Sequence, residues 1–181
     1  MAIDEMHEPE DLETWHKPAG LDLGAWLEGH RVARFESRSY DWNALKFQAD
    51  FDPKYRRAQM RYMGLGAAGA QADANVVPAE HFTFSTMVLP AGCEGPIHVH
   101  RDAEEVFFLL HGKVKLFFEY EGETAETILA ERDLISVPPN VYRGLHNIGQ
   151  EEALMFVLLG TPRPQLPTYP AGHPLAKIKR A

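Results

Sequence analysis

The sequence predicts an all-β fold, a small antiparallel barrel or sandwich occupying its second half. Two observations carry this. Apolar and polar side chains alternate along residues 81–89, HFTFSTMVL, the period-2 signature of a strand with two different faces. Further short strand-forming runs then follow at close spacing, each closed by turn residues: Pro90-Ala91-Gly92, His111-Gly112 and Glu121-Gly122. Many short antiparallel strands of this kind fold into a sandwich or a barrel, and full closure removes exposed edges.

Taken in order, residues 1 to about 30 are acidic and are broken by Pro9, Pro18, Gly20, Gly24 and Gly29. Trp15 and Trp26 in such a segment suggest an arm that docks on a surface. Residues 31–51 predict one or two short strands, near 32–36 and 44–47. Asp52-Pro53 reads as an N-cap followed by proline at the first helical position, so residues 54–63 are expected to be a helix that Gly64 ends. Residues 64–80 form a loop of small residues without phosphate-loop spacing. Strands are then expected at 81–89, 97–100, 105–110, 113–119, 124–129, 134–137, 143–147 and 153–159. The tail beyond Gly160 holds Pro162, Pro164, Pro167, Pro170 and Pro174 and is expected to lie extended on the surface. The organisation read from sequence is thus an N-terminal arm and short helix over 1–79 packing on the barrel, the barrel over 80–160, and a Pro-rich extended tail over 161–181.

Composition narrows the class of function. The chain has 181 residues, 45% of them hydrophobic, which suits one domain with a sizeable core plus an appendage. A formal net charge of −8 argues against nucleic acid or an anionic membrane as partner. The first thirteen residues hold six acids and no Lys or Arg, unlike a secretory or transit leader. The longest apolar run, 153–159, is far too short to span a bilayer. Cys93 is the single cysteine, so no internal disulfide can form and a reducing cytoplasm is the expected compartment.

The chemistry is concentrated between Gly92 and Gly112, GCEGPIHVHRDAEEVFFLLHG. His98 and His100 are two apart, so on an extended strand both imidazoles point to one side. Glu105 heads the apolar run that follows. Two imidazoles and a carboxylate on one face make a ready site for a divalent transition metal. Glu105 is preferred to Glu104 because it shares a strand face with Phe107 and Leu109, and a carboxylate facing an apolar interior needs a cation.

The spacing Gly92, five residues, His98, one residue, His100, four residues, Glu105, six residues, Gly112 resembles the first motif of the cupin superfamily at all five fixed positions. The second motif is similar to Asp133 through Asn147, with Pro138, Pro139 and Asn147 in place, but Arg143 stands where the family carries a histidine. The resemblance spans about residues 80–160. It implies a cupin jelly-roll barrel with an N-terminal extension containing a short helix. It also implies one divalent metal (Fe, Mn, Ni or Zn) on His98, His100 and Glu105, a small-molecule ligand or substrate, and a homodimer.

Arg143 leaves three outcomes open. A guanidinium stays protonated and will not serve as a ligand. The two histidines and Glu105 could hold the metal alone. His146 could supply a third nitrogen, although strand alternation puts it on the face opposite Arg143 and only a bulge would bring it inside. Or Arg143 could pair with Glu105 and replace the metal, leaving a metal-free binding protein. If the metal is present, Arg143 would suit an anionic substrate, with Phe107 on the pocket floor and His81 at the strand end within reach. Cupins include dioxygenases, isomerases, decarboxylases and lyases, and the fold does not choose among them. A two-His, one-carboxylate set with open positions favours a dioxygenase-like oxidoreductase, with a cupin isomerase or lyase as the alternative.

Overall fold

The computed structural model describes residues 15–67, 73 and 75–178. The chain divides into two compact units, residues 1–32 and 33–181. In the first, the helix α1 (Leu23–His30) starts where the Asp22 carboxylate accepts the Ala25 N–H at 3.0 Å. It buries none of its residues, and Trp15 stacks on Trp26 with ring centroids 4.9 Å apart.

The second unit opens differently from the sequence expectation. The strands expected near 32–36 and 44–47 are a single 3₁₀ turn at Phe35–Ser37 and a helix, α2 (Lys46–Phe51). The helix expected over 54–63 is also absent. The Asp52 carboxylate does accept the Lys54 N–H at 3.0 Å, but it caps only one 3₁₀ turn, Pro53–Tyr55. The chain then becomes strand β1 (Ala58–Met63). The cap signal was real, and sheet pairing overrode helix propensity after one turn. Alternation explains why: Ala58 and Met60 are buried at 0% and 3% exposure, between Arg57, Gln59 and Arg61.

The remaining strands are β2 (Thr83–Leu89), β3 (Glu94–His98), β4 (Glu105–His111), β5 (Val114–Tyr120), β6 (Glu123–Leu129), β7 (Leu134–Val137), β8 (Tyr142–Asn147) and β9 (Ala153–Leu159). They form two antiparallel sheets, ordered β1-β2-β9-β4-β7 and β3-β8-β5-β6. From β2 to β5 and again from β6 to β9, successive strands alternate between the sheets in the jelly-roll manner, which confirms the all-β barrel. The inner faces meet in one apolar core, including Leu89, Leu109, Leu116, Val137, Leu145 and Met155.

Two positions show why the turns and the packing need their residues. Gly112 has φ 96°, and a Cβ there would stand 3.0 Å from Ala153 Cα. A Cβ on Gly144 would fall 2.1 Å from Phe117 Cζ. Asn147, fully buried, closes the β8–β9 connection. Its Nδ2 donates to the Leu89 and Glu151 carbonyls, both at 2.8 Å, and its Oδ1 accepts from Gly149 N–H at 2.9 Å.

The proline-rich tail is not simply laid on the surface. Thr168 bridges Val99, and Tyr169 and Leu175 are buried with Tyr55 in a second apolar cluster. The apolar residues between the prolines anchor the segment. Among the described residues, no helix is long and apolar enough to cross a membrane.

Candidate metal centre and its cavity

The two histidines and the carboxylate reach one point from different sheets. His98 ends β3, whose pairing with β8 slips between Gly95 and His98. His100 follows two residues later. Its backbone is fixed by neighbours: Val99 exchanges both backbone hydrogen bonds with Thr168, at 2.8 and 3.0 Å, and the His100 carbonyl accepts the Asn140 N–H at 2.9 Å. Glu105 opens β4 between Val137 and Leu159, so the five-stranded sheet presents the carboxylate to imidazoles from the other sheet's edge.

His98 Nε2 lies 3.9 Å from Glu105 Oε2, and His100 Nε2 lies 3.8 Å from Oε1. One ligand atom from each residue can be chosen so that all fall within 4.8 Å of one another. The Pro96 carbonyl lies 2.8 Å from His98 Nδ1. A carbonyl can only accept, so Nδ1 carries the proton and Nε2 keeps its lone pair toward Glu105. Burial pushes the pKa of His98 down to about 3 and also lowers that of His100. For Glu105, burial works upward but Arg143 outweighs it, so the carboxyl is held below its ordinary value. The group is therefore two neutral imidazoles and one carboxylate.

Arg143 sits behind this carboxylate. It is 0% exposed and is opposite His98 in the β3–β8 ladder. Its Nε donates to Glu105 Oε2 at 2.8 Å, with Nη2 2.7 Å from the same oxygen, and Nη1 donates to the Val141 carbonyl at 3.3 Å. Both close contacts converge on one oxygen, and Oε1 is left to face His100.

A cavity of about 60 Å³ opens beside the group. Of the residues expected there, His98, His100, Glu105 and Phe107 line it, and so does Met87. Arg143, expected to contact substrate, does not line it, and its guanidinium is directed to Glu105. His81 is exposed and lies outside the lining, because the strand begins only at Thr83. His146 is half-buried and pairs across the sheet with Glu94 and Lys115, away from the metal group. Glu104 is exposed and accepts from the Ser136 hydroxyl.

Several lining residues were missed. Gln48 comes from α2, Arg57 and Arg61 from the β1 segment, and Pro167 from the tail. The signal that could have found the arginines was RAQMR at 57–61. Read as a strand, it puts Arg57, Gln59 and Arg61 on one face; the helix signal just upstream hid it.

Residues 85–159 match the family described as Cupin domain. Residues 85–159 form a cupin domain. Two of three similar solved structures, those with TM-scores of 0.54 and 0.50, place its fold among known cupin barrels. The oxalate decarboxylase of Lactobacillus farciminis, solved as a formate complex, is 15% identical, with a TM-score of 0.54, and the match covers 73% of this chain and 33% of that one. KdgF from Halomonas sp. is 14% identical with a TM-score of 0.50, covering 73% and 93%. A recombinant oxalate oxidase in complex with glycolate is 17% identical with a TM-score of 0.45, covering 46% of this chain and 44% of that one. The chain therefore matches less than half the length of the oxidase and a third of the decarboxylase. No curated protein matches this sequence.

The donor set fits a divalent ion. The His98 imidazole offers an Nε2 lone pair, His100 Nε2 faces Glu105 Oε1, and that oxygen is free of Arg143. Metal–ligand bonds near 2.1 Å set neighbouring ligand atoms about 3.0–3.5 Å apart, so the histidine–carboxylate pairs at 3.9 and 3.8 Å need to close by a few tenths of an ångström, and separations of up to 4.8 Å by about an ångström more.

Proposed function

We propose that His98, His100 and Glu105 bind one divalent first-row ion, Fe, Mn, Ni or Zn, and that the adjoining cavity takes a small organic molecule. The favoured reaction is a dioxygenase-like oxidation. The observation that supports this most strongly is the convergence of two neutral imidazoles and one ionised carboxylate on a cavity wall. When bound, such an ion supplies Lewis-acid or redox chemistry with positions left for substrate. The chain's own residues do the rest. Pro96 fixes the His98 tautomer, Arg143 holds Glu105 ionised and in place, and Phe107 and Met87 keep the cavity wall apolar. His98→Ala combined with His100→Ala should abolish metal binding while the circular dichroism of the barrel stays unchanged. Retention of full metal content by that variant would show that these are not the ligands.

One observation favours a second reading. The Arg143–Glu105 pair, at 2.8 Å, already neutralises the carboxylate, and a metal-free cupin that captures a small molecule needs nothing more. Under that reading Arg143→His would restore the family's third imidazole and create metal binding absent from the wild type. We further propose that the chain forms a homodimer, for which the exposed Trp15, Leu23 and Leu27 offer apolar area. A sedimentation mass of 20.4 kDa at micromolar concentration would refute the dimer.

A further inference from the structure

A guanidinium buried without an anion is costly, and this barrel contains one. Arg57 is 6% exposed and lines the cavity. Among the described residues, no carboxylate lies within 4.0 Å of it. Of its five N–H donors, Nη1 donates to the Tyr55 carbonyl at 3.2 Å. Glu105 lies in the same cavity but is already paired with Arg143. Histidines supply no negative charge in either protonation state. Arg61, the other cavity arginine, differs: Asp41 and Asp73 hold it at 3.0 and 3.1 Å, so its charge is more than balanced. Of the three arginines at this end of the barrel, Arg57 is the one with no carboxylate partner among the described residues.

The wall around Arg57 is also unsatisfied in its hydrogen bonds. Gln48 Oε1 and Arg61 Nη1 are buried polar atoms with no partner among the described residues, and both residues line this cavity. Buried polar groups in folded proteins are overwhelmingly paired, so two such atoms on one cavity mark the place of a polar ligand. Size limits that ligand. Drug-sized pockets run to roughly 300–1,000 Å³, whereas this cavity is about 60 Å³. Desolvation pushes the Arg57 pKa down, to about 10, with no ion pair close enough to reverse it. The group still remains charged at neutral pH.

We infer that Arg57 is the anchor for a small carboxylate, an organic acid of a few heavy atoms that enters the cavity between the β1 segment and the His98, His100 and Glu105 group. This rests on the reading that the cavity takes a small molecule, and it names the chemical class. The forked guanidinium presents paired N–H donors to the two carboxylate oxygens, and the ligand's charge neutralises that of Arg57. Arg57 is on the segment that leads into β1, outside the residues that match the family, so the motif alone does not assign it.

The test is calorimetric titration of the metal-stripped full chain with acetate, glycolate and malonate, using acetamide as the uncharged control. At least one carboxylate should bind saturably and acetamide should not. Arg57→Gln should weaken that binding by about tenfold or more, with Arg57→Lys in between. Equal affinity in Arg57→Gln, or no binding of any of the three acids to the wild type, would overturn the inference. Should Arg57→Gln fail to fold, phenylglyoxal labelling of the wild type replaces it. The bound acid should protect Arg57 from modification, and unprotected labelling in its presence would equally overturn the proposal. Because the protein is stripped of metal, the outcome does not depend on the metal reading, and metal content measured on Arg57→Gln should equal that of the wild type.

Discussion

Arg143, on β8, and Arg57, on the segment leading into β1, are both buried guanidinium groups at the same end of the barrel, yet their surroundings are opposite. Arg143 has a carboxylate at 2.8 Å and a carbonyl at 3.3 Å, and makes no part of the cavity wall. Arg57 has one carbonyl at 3.2 Å, and it faces the cavity. The contrast separates two tasks. A charge whose partner belongs to the protein holds a side chain in position, here Glu105. A charge whose partner is missing from the protein is suited to a ligand. Native structures tolerate such a loss of stability mainly where function requires it.

The largest expected effect follows from breaking the paired arginine. In metal-stripped protein, Arg143→Met leaves Glu105 buried without a counter-charge and should cost about 3–5 kcal/mol of unfolding free energy. Urea unfolding measures this, and adding a divalent ion should recover part of the loss if Glu105 is a ligand. Combining Arg143→Met with Glu105→Gln should also recover stability. A single variant as stable as the wild type would mean that the pair does not organise the site.

Arg57→Met should behave in the opposite way. It removes an uncompensated buried charge and should leave stability unchanged or raise it by about 1 kcal/mol, with carboxylate binding lost. A destabilisation as large as that of Arg143→Met would erase the distinction between the two arginines.

That distinction was only half legible in the sequence. Glu105, His98 and His100 are close in sequence on strands whose ends Gly92 and Gly112 mark, so spacing alone brought them together. Strands β7 and β9 match their expected bounds; β9, central in its sheet, carries its alternation openly, and β7 is a short edge strand set off by turn residues on both sides. Arg143 was visible as a departure from the family pattern, but its partner was one of three alternatives until the β3–β8 register placed it opposite His98. Arg57, Gln48 and Pro167 were not legible. They reach the cavity from segments outside the barrel motifs through contacts distant in sequence, such as Gln48 Nε2 to the Tyr169 hydroxyl at 2.6 Å. The Asp52-Pro53 cap, a true local signal, also pointed to a helix where pairing with β2 makes a strand.

A smaller effect should appear with pH in the metal-stripped protein. His98 has a folded pKa lowered to about 3 by burial, against about 6.5 unfolded. Between those values the unfolded chain binds the extra proton, so stability falls as pH drops, by on the order of 1 kcal/mol per unit at most. His111 shifts the other way, raised by its contacts with Glu151 and Glu131. Its contribution is present below the unfolded value and is lost as pH rises through the folded one. Nuclear magnetic resonance titration should show His111 protonating above the ordinary histidine value and His98 still neutral at pH 5. A His98 that titrates normally would show that its surroundings are wet and that Nε2 is not reserved for a metal.

The central claim is that His98, His100 and Glu105 bind a metal although Arg143 already touches the carboxylate. Metal analysis of the purified wild-type chain tests it most directly, before and after incubation with iron, manganese, nickel and zinc. The account predicts about one equivalent of one of these ions. Finding none, even after incubation with all four, would contradict it and leave the Arg143–Glu105 pair in the metal's place.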